Sequence, residues 1–171
     1  MALKTTFVTI SGDDSITGAY VLTVRVRESL RLAFGRYDGG RLITVPPAAY
    51  LYVGSAGGRG ATALAGRLLR HATRTGGRPS HAIRDELHNR LSAAGLVAPL
   101  PTAKRLRWHV DYLLDEPAAE LVGVWAVRTA APLEGALVDW LTAQPGVRPL
   151  APGLGASDDR SRTHLLRVAG Q

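Results

Sequence analysis

Two tyrosine tripeptides, Gly18-Ala19-Tyr20 and Tyr52-Val53-Gly54, precede a glycine-rich turn and a segment with Arg67 and His71; Glu134 follows much later. Phosphodiester cleavage needs a nucleophilic water, a base to deprotonate it, and positive charge at the phosphorus centre, from a guanidinium or a carboxylate-held metal. The chain has a candidate for each role. Tyr20 and Tyr52 offer hydroxyls, and a tyrosine works as a base only when its pKa falls well below about 10, which a nearby metal or guanidinium can bring about. Arg67 and His71 are spaced i, i+4 and share one helical face. There the arginine can hold a phosphate bidentately while the histidine orients it or shares a proton. Each group also has an ordinary structural reading. Tyr20 is in register with Leu22 and Val24 as strand core, Arg67 and His71 fit a solvated helix edge, and Glu134 fits a first helical turn, where the dipole favours a carboxylate.

Other constellations carry less. Gly58-x-Gly60-x-x-Ala63 after a strand mimics a dinucleotide fingerprint, but the acidic residues about 20 positions on, Asp85 and Glu86, fall in a helix rather than at a strand end. No Gly-Lys-Ser/Thr closes the turn, which argues against a phosphate-loop ATPase. In Trp108-His109-Val110-Asp111-Tyr112, a strand would put His109 and Asp111 on one face as a secondary metal site; a buried hydrogen-bonded His–Asp pair is the alternative. Ser157, Asp158 and His164 can be assembled into a hydrolase triad on paper, without the nucleophile-elbow context. His81 and His88, with Arg84 between them, read as an exposed helix face.

These groups depend on the elements that hold them. Alternation from Ala19 to Arg27, with Tyr20, Leu22, Val24 and Val26 on one face, predicts a half-buried strand. Ser29 to Phe34 repeats the pattern, Tyr37-Asp38-Gly39-Gly40 supplies a turn, and Arg41 to Val45 completes a hairpin. Pro46-Pro47 interrupts pairing before a short strand over Tyr50 to Gly54. A helix beginning near Thr62 carries Arg67 and His71, and Ser80 caps a second helix running to about Ala94. Arg107 to Asp115 reads as a strand or short helix, Leu121 to Val127 as a strand, and Pro132 opens a helix over PLEGALVDWLTA. From Pro149 the tail is loop, ending in a short strand around His164 to Val168.

The 171 residues, 46% hydrophobic, fit one domain with a substantial core. Lys+Arg total 21 against 14 Asp+Glu, a net charge of +7. Nucleic acid is the commonest partner of such a surface, although a GC-rich genome raises arginine content as well. With no cysteine, disulfides, thiol nucleophiles and cysteine-based zinc sites are excluded. The amino terminus reaches acidic residues too early for a signal peptide, and no stretch approaches the roughly 18 apolar residues of a membrane span. A cytoplasmic protein without membrane attachment is the expectation.

The ordered set GAY, YVG-SAGG, the Arg67 helix, a strand and Glu134 resembles the GIY-YIG nuclease superfamily. YLYVGSA, GRLLRH, RWHVDYLL and GLGASDD…HLL look like its small archaeal and bacterial branch, sometimes fused to endonuclease III. The resemblance spans about Gly18 to Val168. It implies a single domain over 1–171, with an α+β fold: a small, mainly antiparallel central sheet flanked by helices, with an inserted hairpin and an inserted helical segment at 76–103. It further implies a metal-dependent DNA endonuclease. Tyr20 would be general base or water-orienting group, Tyr52 its partner hydroxyl, Arg67 the catalytic helix arginine, His71 the His/Tyr position one turn on, and Glu134 the carboxylate for a single Mg²⁺ or Mn²⁺. Ala19 and Val53 replace the usual isoleucines, Ser55 stands where some relatives have lysine, and Asp159 where relatives of this branch can carry cysteine. The competing expectation is a catalytically silent nucleic-acid-binding module on the same fold.

Overall fold

The computed structural model describes residues 6–60, 63–156 and 161–169. Its strands are β1 (Phe7–Gly12), β2 (Gly18–Val26), β3 (Leu30–Ala33), β4 (Leu42–Val45), β5 (Ala48–Ala56), β6 (Ala119–Arg128), β7 (Val147–Pro149) and β8 (Leu165–Val168). The helices are α1 (Leu64–His71), α2 (Arg84–Ala93), α3 (His109–Leu114) and α4 (Glu134–Thr142), and a 3-10 turn covers Tyr37–Gly40. Six strands form one sheet in the order β1-β6-β2-β5-β8-β7, and β3 and β4 form a separate hairpin sheet. Only the β1–β6 pair of the large sheet is parallel. The result is a small α+β fold with a mixed central sheet, a separate small hairpin sheet and flanking helices.

Alternation along β2 explains the layers. Tyr20, Leu22, Val24 and Val26 point into the main core with Leu64, Leu68 and Leu69 of α1. Each fully buried leucine contributes about 1.5–3 kcal/mol of transfer free energy. Val21 and Val53 point the other way, into a smaller cluster with Val138 and Leu141 of α4. Helix α4 therefore covers part of the face on which a half-buried strand would be polar, and Arg25 is its exposed remainder.

The two tripeptides meet across one strand pair. Tyr20 lies opposite Gly54 in the β2–β5 register, and Leu22 opposite Tyr52, so both tyrosines face α1. The Tyr20 ring lies across Gly54: a Cβ there would stand 2.5 Å from the Tyr20 hydroxyl. A Cβ on Gly18 would run into the Val127 carbonyl of β6. Both glycines are needed for close approach rather than for a turn.

Several sequence expectations are corrected. Strand β1 was not anticipated, although Phe7–Gly12 alternates; neither was β7, whose three residues include Arg148 and Pro149. Residues 76–103 contribute Ile83, Leu87, Leu91 and Leu96 to the main core, so His81 is buried rather than on an exposed face. Ser80 does not cap α2; its Oγ instead accepts a hydrogen bond from Arg84 Nη1 at 3.1 Å. Thr62, the expected start of the first helix, lies outside the described residues, as do Ser157, Asp158 and Asp159. No helix among the described residues is long and apolar enough to cross a membrane.

Candidate functional site

A closed polar network lies under the α1 side of the sheet. Helix α1 directs His71 toward β2, and α3 directs Asp111 at the same ring from the opposite side. The Tyr20 hydroxyl is 2.9 Å from His71 Nε2, and His71 Nδ1 is 3.2 Å from Asp111 Oδ1. A carboxylate only accepts, so His71 carries its proton on Nδ1 and the Tyr20 hydroxyl donates to Nε2. Burial lowers the His71 pKa to about 4, against the smaller upward pull of Asp111, so the ring is neutral at pH 7. Burial likewise raises Tyr20 well above its usual value.

Asp111 is the hub of this network. Arg70 Nη1 lies 3.1 and 2.9 Å from its two oxygens, and Lys104 Nζ lies 3.4 Å from Oδ1. The backbone N–H groups of Arg107 and Trp108 each donate to Oδ2 at 2.9 Å, the second from the residue that opens α3. Burial pushes the Asp111 pKa up, but the bond from His71 and the charges of Lys104 and Arg70 outweigh it and hold the carboxyl far below its usual range.

An open cavity of about 440 Å³ sits at the end of the sheet where β2 begins and β5 and β6 end. It receives side chains from both faces: Tyr52, Arg67 and Trp108 from one, and Ser55, Glu134 and His164 from the other. The parity of β5 explains this, because Tyr52 faces α1 while Ser55 faces α4. The Ser55 hydroxyl donates to Glu134 Oε2. His164 Nδ1 is 3.1 Å from Glu134 Oε1 and 3.2 Å from the Val53 carbonyl; both are acceptors, so Nδ1 bears the proton. Burial raises the Glu134 pKa, yet its bonds from His164 and Ser55 and the charge of Arg67 bring it below the usual value. It stays ionised at neutral pH.

Arg67 behaves differently. Its guanidinium stacks over Trp108, 4.2 Å from the ring centroid, and Arg70 stacks on the same indole at 4.3 Å. Arg67 Nε is buried and has no hydrogen-bond partner among the described residues. Tyr52, beside it, is kept protonated by burial and by the negative charges of Glu134 and Asp111.

The structure thus divides the expected site. Tyr52, Arg67 and Glu134 line the cavity, whereas Tyr20 and His71 belong to the closed network beside it. His109 and Asp111 do not share a face, because their segment is helix α3 and residues two apart diverge on a helix. His109 Nδ1 accepts the Gly155 backbone N–H at 3.0 Å, while Asp111 turns to His71. His164 holds Glu134, and its proposed triad partners Ser157 and Asp158 lie outside the described residues. Sequence reasoning missed Trp108 as the support of Arg67 and Lys104 as a buried partner of Asp111. The run Lys104-Arg105-Leu106-Arg107-Trp108 was a signal for both.

The fold and this cavity define a small α+β domain with a polar site at one sheet end. The family model described as Domain of unknown function DUF123 matches residues 19–171, and the chain belongs to that family. This overturns the resemblance drawn from the tyrosine tripeptides: the matched region is DUF123, not a GIY-YIG nuclease domain. No curated protein and no solved structure matches the chain.

Proposed function

We propose that the chain hydrolyses phosphodiester bonds within DNA with one divalent metal ion. The observation that carries this reading is Arg67: a guanidinium stacked on Trp108, with a buried unpaired Nε, beside Tyr52 and Glu134 in an open cavity. An unpaired buried donor costs about 1–3 kcal/mol, and a phosphate oxygen removes that cost. The net charge of +7 supports a polyanionic partner.

The donor set fits a single Mg²⁺ or Mn²⁺ on Glu134. The carboxylate is ionised, lines the cavity, and keeps lone pairs beyond those engaged by Ser55 and His164; Mg²⁺ commonly takes one or two carboxylates, with water and phosphate completing its shell. When bound, the ion supplies positive charge at the phosphate and lowers the pKa of water. In this reading Arg67 would grip the non-bridging oxygens, and Tyr52, kept protonated, would orient the attacking water, whose proton would pass to solvent once the ion has lowered its pKa. Ser55 and His164 fix the Glu134 rotamer. Tyr20 and His71 hold the wall behind Tyr52, with ring centroids 6.4 and 6.1 Å from its own.

One observation favours the silent nucleic-acid-binding module instead. Among the described residues no group of three or more His, Asp or Glu side chains is placed to hold a metal, and both Glu134 oxygens already have a partner. Labelled branched, single-stranded and duplex DNA incubated with Mg²⁺ or Mn²⁺ separates the two. Under the hydrolase reading wild type cuts, while Glu134→Ala and Arg67→Ala do not; binding without any cutting assigns the module. A cytoplasmic setting, and the view of the β3–β4 hairpin and residues 76–103 as insertions into a smaller core, belong to the same proposal.

A further inference from the structure

A second cavity, of about 790 Å³, opens between the Tyr37–Gly40 turn and the loop at 152–156. We infer that it is a subsite for unpaired nucleotides flanking the scissile phosphate, an inference that rests on the phosphodiesterase reading of the first cavity. The loop at 152–156 forms a wall of both cavities: Gly155 lines the first, and Gly153 and Ala156 line the second. A strand leaving Arg67 past this loop enters the second cavity. Its volume lies within the roughly 300–1,000 Å³ of small-molecule and cofactor sites.

The lining suits a base and its phosphate. The Tyr37 and His109 rings meet at 71° with centroids 5.7 Å apart, forming a corner in which a base stacks on one ring and meets the other edge-on. Both rings are pinned: the Tyr37 hydroxyl donates to the Pro152 carbonyl at 2.7 Å, and His109 Nδ1 accepts the Gly155 N–H. The His109 proton is therefore on Nε2, a donor left for an acceptor on a base. Arg36 and Arg41 bring two cations, and the one lining carboxylate, Asp38, pairs with Arg41 at 2.7 Å. That pair is exposed and contributes little, so Arg41 can exchange it for phosphate. Asp38 has a left-handed φ of 47°, a conformation Asp tolerates better than most residues. Ring faces stack bases only when these are splayed out of a duplex, so the subsite selects single-stranded flanks.

The test is fluorescence anisotropy with labelled blunt duplex and the same duplex bearing a single-stranded overhang, beside cutting by wild type. Stacking of about 1–3 kcal/mol per base predicts that wild type binds the overhang duplex roughly 5- to 150-fold more tightly. Tyr37→Ala removes that preference, and Tyr37→Phe, which keeps the ring, retains it. Should Tyr37→Ala fail to fold, the exposed pair Arg36→Ser and Arg41→Ser must reduce the preference and its salt dependence. Equal affinity of wild type for both duplexes, with cutting intact, overturns the subsite and leaves the first cavity's function standing. If wild type neither binds nor cuts DNA, both readings fall.

Discussion

The molecule holds two polar centres built from the same residue types and used in opposite ways. Around Asp111, deep between α1 and α3, each charged group has an opposite charge beside it, and His71 is held neutral. Around Arg67, some of whose neighbours also belong to that network, the guanidinium lines the open cavity while its Nε is buried without a hydrogen-bond partner among the described residues. Satisfied buried networks define a fold, whereas an unsatisfied group in a cleft is an expense that binding can remove. Lys104 Nζ also lacks a hydrogen bond among the described residues but has the Asp111 carboxylate 3.4 Å away inside the network, whereas Arg67 lines an open cavity; that setting, rather than proximity to the tyrosines, separates the two centres.

The comparison is broken most severely at Asp111. Asp111→Ala leaves Arg70 and buried Lys104 without their carboxylate, and the unfolding free energy from denaturant titration is expected to fall by about 3–5 kcal/mol. Under the proposed function Arg67→Ala does the reverse: cutting falls about 10²- to 10³-fold, as for other single donors to a transition-state anion, while the unfolding free energy changes by less than about 1 kcal/mol. Equal effects of the two substitutions on stability would erase the distinction.

A pH titration sharpens it further. Burial lowers His71 from its ordinary 6.5 to about 4. Between those values the unfolded chain takes up a proton that the folded chain refuses, so stability falls as pH drops from about 6.5 to about 4, by about 3 kcal/mol in total for this residue. His71→Gln should flatten that slope in pH-dependent denaturation. A residual slope belongs to His81 and His109, both also lowered by burial, and toward pH 4 to Asp111, Glu120 and Glu134, whose carboxyls are held below their usual values. The smallest effect is expected from Trp108→Leu, which removes the indole under Arg67. It should weaken DNA binding by about 0.5–2 kcal/mol, seen in Kd rather than in the rate of the bound complex.

Much of the framework was legible, because β2, β5 and α1 follow apolar periodicity and their glycines mark close approaches. Strand β1 escaped notice since its polar alternate residues make a short edge strand resemble a tail, and α3 was ambiguous because six residues fit either period. Tyr52, Arg67 and Glu134 were identified as site residues, and they share the cavity. Tyr20 and His71 were named with them, but the sequence cannot say which hydroxyl opens on the cavity; that depends on how α3 brings Asp111 under His71, a contact forty residues away. Glu134 meets Ser55 and His164 only because β5 and β8 pair, again beyond local pattern. The motif order suggested one family and the whole matched region belongs to another.

The central claim is that Arg67 Nε waits for a phosphate oxygen. NMR of the Arg67 Nε–H resonance, assigned by its loss in Arg67→Lys, tests this on titration with DNA whose phosphorothioate linkages resist cutting. The account predicts a downfield shift of that resonance as the hydrogen bond forms, saturating with DNA binding. DNA that binds to saturation while the Arg67 signal stays in place would contradict it.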